Sequence, residues 1–132
     1  MKHTGDTSFF MRVSEGLPKA LLIWREITEG RSRLVVPTVV LVELKNNYFR
    51  KGLNKDFEEL ILTFENSNRI AIVPLTTELA KKAGGLGYTY NLTNFDAVIL
   101  ATAIETDYKD LLTSDPLFLR AQKHGIVSVT KI

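Results

Sequence analysis

Short β-branched segments alternating with longer helical stretches restrict the fold of this 132-residue chain more than any other feature. Arg33-Leu34-Val35-Val36 reads as a buried strand closed by Pro37, and Ile70-Ala71-Ile72-Val73-Pro74 reads as a second. Leu111-Leu112-Thr113 and Ile126 to Val129 supply two more, and a short start ends at Asp6. Between them lie helices. Thr7-Ser8-Phe9-Phe10 opens a short one. Leu17 to Glu29 carries Pro18 in its first turn and spaces Leu21, Leu22, Trp24 and Ile27 helically, until Gly30 stops it. Thr38 to Tyr48 is ambiguous, because Val39-Val40-Leu41-Val42 has strand composition. Its length and the uninterrupted Glu43-Leu44-Lys45-Asn46-Asn47 favour a helix to about Lys51, ended by Gly52. Further helices are expected over Asp56 to Asn66, Thr93 to Glu105 and Pro116 to His124, and one from Thr77 to Ala83 that dissolves at Gly84-Gly85. Strands alternating with helices predict an α/β fold, a parallel sheet covered on both faces. At roughly 150 residues per domain the chain forms one unit over 1–132, and it contains no repeat and no linker.

Composition excludes several chemistries. There is no cysteine, which removes disulfides, Cys-ligated zinc, iron–sulfur clusters and thiol catalysis. Two histidines, His3 and His124, cannot form a triple-His site. No uncharged apolar run approaches the roughly 18 residues of a membrane span, and Met1 to Asp6 lacks the apolar stretch of a signal peptide. A cytoplasmic protein without membrane contact is expected. Lys and Arg exceed Asp and Glu by 17 to 15, too little alone to indicate nucleic acid. If four carboxylates are gathered in one metal pocket, however, the remaining surface carries 17 basic against 11 acidic residues, suited to attracting phosphate.

Four carboxylates stand out by position, because parallel sheets bind ligands beyond the carboxyl ends of their strands. Asp6 ends the first segment, Glu43 sits in the helix after the second strand, Asp96 begins the Ala-rich helix, and Asp115 follows Leu111-Leu112-Thr113. Each also has an ordinary explanation. Asp6 and Asp115-Pro116 fit helix N-caps, Thr93-x-x-Asp96 fits a capping box in which Asp96 takes the backbone N–H of Thr93, and Glu43 fits a solvated helix face. If all four converge, their repulsion requires a hard cation, and oxygen-only ligation selects Mg²⁺ or Mn²⁺.

Taken in order, Asp6-Thr7-Ser8, Pro37-Thr38-x4-Glu43-Leu44, Phe95-Asp96-Ala97-x-Ile99-x-Ala101-x-Ala103 and Leu112-Thr113-Ser114-Asp115-x2-Phe118 resemble the PIN domain, most of all the VapC-type ribonuclease toxins. The resemblance covers nearly the whole chain, and its last two motifs are the most specific. It implies an α/β/α sandwich on a short parallel sheet. It further implies a Mg²⁺- or Mn²⁺-dependent endoribonuclease that hydrolyses RNA phosphodiesters, with a small antitoxin protein as partner and a homodimeric state. Asp6, Glu43, Asp96 and Asp115 become the metal-site acids, Asp6 and Asp96 the principal ligands, and Thr113 a supporting hydroxyl. Lys2-His3-Thr4-Gly5 departs from the family's usual apolar approach to the first acid. Two alternatives share these acids: a PIN-type RNA-processing nuclease that is not a toxin, and a PIN-like module that binds RNA or a partner without cutting.

Weaker signals surround these. Lys45, Arg50 and Lys51, and the pair Lys81-Lys82, could track an RNA backbone or form solvated helix faces. Tyr88 and Tyr90 flank Gly84-Gly85-Leu86-Gly87 and could stack on bases or pack. That glycine stretch fits neither phosphate-loop pattern. A phosphoacceptor receiver domain would need an aspartate ending its central strand, and Ile72-Val73-Pro74-Leu75, taken as that strand's end, carries none.

Overall fold

The computed structural model describes residues 1–132. Five parallel strands form one sheet: β1 (Lys2–Gly5), β2 (Arg33–Pro37), β3 (Ile70–Val73), β4 (Asp110–Thr113) and β5 (Ser128–Lys131), in the order β3-β2-β1-β4-β5. Helices α1 (Thr7–Ser14) and α2 (Pro18–Thr28) connect β1 to β2, and α3 (Thr38–Arg50) and α4 (Asn54–Asn66) connect β2 to β3. The return to β4 runs through α5 (Thr77–Tyr90) and α6 (Asn94–Thr106), and a 3-10 turn (Pro116–Phe118) with α7 (Leu119–Lys123) leads to β5. Right-handed crossovers place the helices after β1 and β2 on one face and those after β3 and β4 on the other. The unbroken burial of β4, and of β2 beyond Arg33, reflects that double cover. The fold is an α/β/α sandwich, as the strand–helix alternation predicts. No helix is long and apolar enough to cross a membrane.

β1 is the centre of the sheet despite its polar sequence. His3 is 3% exposed, and its Nδ1 lies 2.7 Å from Asp110 Oδ2, while Thr4 Oγ1 donates to the Tyr108 carbonyl at 2.6 Å. Asp110 also accepts from Ser128 and Thr130, so its carboxyl is held below the ordinary range despite its burial. Buried polar side chains on β1 therefore find partners on β4 and in the turn before it, with His3 Nε2 alone left buried and unpaired.

The identification of the Ile70 strand as the central one is corrected: β3 is an edge strand, and the central strand ends on Asp6. A receiver-type order would be 2-1-3-4-5, so the observed order sets that fold aside on topology instead.

Two further expectations need correction. The helix from Thr77 does not dissolve at Gly84-Gly85 but runs to Tyr90. Leu79, Ala83 and Tyr90 are buried along it, and a Cβ at Gly87 would stand 3.2 Å from the Ala97 Cβ, so glycine lets α5 close on α6. That packing outweighs the roughly 1 kcal/mol that each glycine costs in a helix. The last strand starts at Ser128 rather than Ile126, because Val127 is a buried connector and β5 is an exposed edge. The single helix expected over Pro116 to His124 is split into the 3-10 turn and α7.

An aromatic cluster fixes the start of α1. Phe10 stacks edge-on to Phe9, Phe64 and Trp24 at centroid distances of 5.1, 5.2 and 6.1 Å. Such pairs contribute about 0.5–1.5 kcal/mol each beyond burial. A Cβ at Gly5 would lie 2.7 Å from the Phe10 ring, so the ring packs directly over the turn that carries Asp6.

Candidate active site

The connections from β1 and β4 leave in opposite directions, which makes the carboxyl edge between them the sheet's switch point, where open α/β sheets hold their ligands. A cleft of about 870 Å³ opens there. It is lined by Asp6, Glu43, Asp96 and Asp115, so all four sequence-predicted carboxylates share one cleft. Asp6 leaves β1, Glu43 stands on α3 beside the fully buried Leu44, Asp96 lies in the first turn of α6, and Asp115 follows β4.

Threonine hydroxyls orient the acids. Thr113 Oγ1 donates to Asp6 Oδ2 at 2.5 Å and accepts from the Asp115 amide at 2.9 Å, joining two acids across the β1–β4 boundary. Thr113 is fully buried, so its influence runs through Asp6 and Asp115 rather than by touching a ligand. Thr7 Oγ1 donates to Glu43 Oε1 at 2.8 Å, and Thr93 Oγ1 donates to Asp96 Oδ2 at 2.8 Å. Ser8 adds its amide to Asp6 Oδ1 at 2.8 Å, while its hydroxyl accepts from the Ser114 amide at 2.9 Å.

Capping and site geometry coexist. Asp6 caps α1 and Asp115 caps the 3-10 turn through the Leu117 amide at 3.0 Å. The capping box is only half formed: Thr93 accepts from the Asp96 amide at 3.3 Å, but the Asp96 carboxylate takes the Thr93 hydroxyl, not its backbone N–H. Glu43 is half-buried and hydrogen-bonded rather than freely solvated.

Burial pushes Asp6 up from its ordinary 3.8 to about 6, against the opposing hydrogen bonds of Thr113 and Ser8, and the nearby charges of Asp96 and Glu43 raise it further. Asp96 is also raised, by burial first and by the charge of Asp115. None of the four forms an ion pair with a Lys, Arg or His. The cleft thus holds negative charge at a desolvation cost that hydrogen bonds from Thr113, Ser8 and Thr93 offset only in part and that no cation of the chain relieves by pairing.

No group of three or more acidic or histidine side chains is drawn tightly enough to enclose a metal ion. This does not conflict with the donor chemistry. Magnesium keeps several waters and binds through one or two carboxylates plus substrate phosphate rather than in an all-protein cage. Oxygen-only donors, raised carboxyls and ordered hydroxyls behind them fit such a hard, partly hydrated cation.

Arg12, Arg50, Lys51 and Glu15 line the same cleft. Arg50 and Lys51 were legible as a basic pair. Lys45 is not with them: its ammonium sits 5.2 Å over the Phe49 ring and it lines a separate groove. Arg12 and Glu15 carry only a weak sequence signal, a spacing of four and seven residues from Ser8 that puts them on one helical face. Lys81 and Lys82 pair with Glu78 and Glu105 on exposed helix surface. Tyr90 is buried against His124 at 3.0 Å, and Tyr88 stands 91% exposed on α5.

The sequence matches the PIN domain over residues 5–124. A search of curated proteins finds no match. Among solved structures, the chain is similar to one in a toxin–antitoxin complex from Klebsiella pneumoniae, with TM-score 0.73 and 19% identity over 98% of this chain and 99% of that one. It is similar to VapBC2 from Rickettsia felis bound to a DNA fragment from its promoter, with TM-score 0.74 and 16% identity over 99% and 98%. It is also similar to Mycobacterium tuberculosis VapC20, described as a sarcin–ricin loop cleaving toxin, with TM-score 0.66 and 16% identity over 83% and 86%. At these identities the structures share the fold. The family match spans the switch point, the four carboxylates and the threonines that orient them: the chain belongs to the PIN domain family.

Proposed function

We propose that this protein is a Mg²⁺- or Mn²⁺-dependent endoribonuclease and the toxin of a toxin–antitoxin pair, with a small antitoxin protein as partner and a homodimeric, cytoplasmic state. The observation that carries the reading is four carboxylates, none paired to a cation, on the rim of one cleft at the switch point, with Arg12, Arg50 and Lys51 on the same rim. Family membership and the fold shared with toxin–antitoxin structures support it.

Asp6, Glu43, Asp96 and Asp115 would hold the cation, through direct contact or through its waters. The acids carry the charge and the threonines fix where that charge points. Oδ1 of Asp96, Oδ2 of Asp115 and Oε2 of Glu43 make no hydrogen bond within the protein and remain available as donors to a cation. When bound, a divalent ion lowers the pKa of water and neutralises charge developing on the phosphate. Arg12, Arg50 and Lys51 supply positive charge for the RNA backbone beside it.

The test is cleavage of single-stranded RNA with Mg²⁺ or Mn²⁺ and with excess EDTA. Cleavage abolished by EDTA and restored by Mn²⁺ is expected. Undiminished cleavage in EDTA rules out the metal-dependent reading, and metal-dependent RNA binding without cleavage identifies the non-cleaving alternative. Co-purification with the product of an adjacent small reading frame, and relief of growth arrest by it, tests the toxin assignment against RNA processing.

A further inference from the structure

The cations of the cleft do not neutralise its four unpaired carboxylates. Arg12 and Lys51 both turn to a fifth, Glu15. Arg12 Nη1 donates to the two Glu15 oxygens at 3.2 and 3.0 Å, and Lys51 Nζ lies 4.0 Å from Oε1. Glu15 is the C-cap of α1 and Lys51 the C-cap of α3, so one carboxylate bridges cations carried by two elements. All three side chains are more than a third exposed, which keeps the bridge open to exchange.

The arrangement separates charge within a single cleft. One part holds the acids, and the other holds two cations against one monoanion, with Arg50 nearby bonded through Nε to Asn46 Oδ1 at 2.5 Å. A carboxylate and a phosphodiester each carry one negative charge on two equivalent oxygens. Each also accepts from guanidinium and ammonium donors in the same way.

We propose that Glu15 is an internal stand-in for a backbone phosphate: its carboxylate holds Arg12 and Lys51 in the free protein, and an RNA phosphate neighbouring the scissile one displaces it. The inference rests on the ribonuclease reading for its ligand and adds to it where the strand crosses the rim.

The test is binding of a fluorescently labelled single-stranded RNA in EDTA, where nothing is cut, for the intact protein and for Glu15→Gln, Arg12→Ala/Lys51→Ala, and the triple variant. Glu29→Gln is the control, since it removes the same charge from a pair with Arg31 at the amino end of the sheet. At low salt Glu15→Gln is expected to tighten binding about three- to tenfold and to steepen its salt dependence, as release of an internal anion predicts. Arg12→Ala/Lys51→Ala weakens binding, and adding Glu15→Gln to it has no effect.

The inference is overturned if Glu15→Gln binds no tighter than Glu29→Gln, or if its gain persists without Arg12 and Lys51. Melting temperatures of the variants separate loss of fold from loss of binding. If the expected binding pattern holds but Mn²⁺ supports no cleavage, the ribonuclease reading fails and the phosphate stand-in survives. Cleavage with no Glu15 effect has the opposite meaning.

Discussion

Replacing Asp6 by Asn should make the metal-free protein more stable while removing its response to metal. The rise of the Asp6 carboxyl from 3.8 to about 6 corresponds to about 3 kcal/mol against its ionised form, at 1.36 kcal/mol per pH unit. The folded chain consequently binds more protons than the unfolded chain between about pH 4 and 6. Stability contributed by this group falls as pH rises through that window and stays low above it. Asp96 is shifted in the same direction. Asp110, held low, opposes it only at the acid end, below about pH 4. Asparagine removes the charge but keeps an oxygen for the Ser8 amide and remains a good N-cap. The value of about 6 already carries the hydrogen bonds of Thr113 and Ser8, so removing the charge recovers about 3 kcal/mol, and leaving the buried Thr113 hydroxyl without its acceptor costs about 1–3 kcal/mol, for a net gain near 1 kcal/mol at pH 7.5. For a chain of this size that is about 4 °C in melting temperature. Calorimetry or circular dichroism in EDTA from pH 4.5 to 8 reads the effect: Asp6→Asn should melt higher at pH 7.5, and the gap should close towards pH 4.5. A variant less stable than wild type at both ends of that range refutes the claim that Asp6 is held charged at a cost.

Other expectations follow from the same geometry. Mg²⁺ or Mn²⁺ should raise the melting temperature of wild type and not of Asp6→Asn, a gain of about 1.4 kcal/mol at ten times the dissociation constant. No shift at millimolar metal, measured by differential scanning fluorimetry, counts against a preformed site. Thr93→Ala removes the hydroxyl that caps α6 and touches Asp96, so it should cost about 1 kcal/mol by denaturant titration yet retain most metal-supported cleavage. Gly5→Ala forces a methyl to within 2.7 Å of a Phe10 ring locked by Phe9, Trp24 and Phe64, and overpacking of this kind costs about 1–3 kcal/mol. A neutral Gly5→Ala in urea unfolding would show that the ring can yield.

Much of this architecture is legible in the chain because the signals are local. Pro18 opens α2, Gly30 follows its end, and the β-branched runs at Leu34-Val35-Val36 and Ile70-Ala71-Ile72 are strands. Asp6 and Asp115 are legible because each follows a strand and Asp96 because it begins a helix, whereas Glu43, in the second turn of α3, is legible only through the resemblance. What stayed hidden depends on partners far along the chain. Lys2-His3-Thr4 looks too polar for a central strand until Asp110, 107 positions beyond His3, and the Tyr108 carbonyl, 104 beyond Thr4, supply the missing polar contacts. Gly84 and Gly85 look like breakers until α6 provides the face against which α5 packs. Glu15 carries no motif, and only the fold brings it to both Arg12 and Lys51. The resemblance implies Thr113 as a supporting hydroxyl, and the fold buries it with hydrogen bonds to the Asp6 carboxylate and the Asp115 backbone amide.

The most direct test of the central claim is metal-supported RNA cleavage by Asp96→Asn, measured on protein whose melting temperature in EDTA matches wild type. Asparagine keeps most of the size and a polar group for the Thr93 hydroxyl, but not the charge that Asp96 brings to the rim beside Asp6 and Asp115. The account predicts folded protein whose cleavage with Mn²⁺ falls by orders of magnitude. Cleavage at the wild-type rate would make Asp96 a helix-start residue only and would contradict the four-carboxylate site.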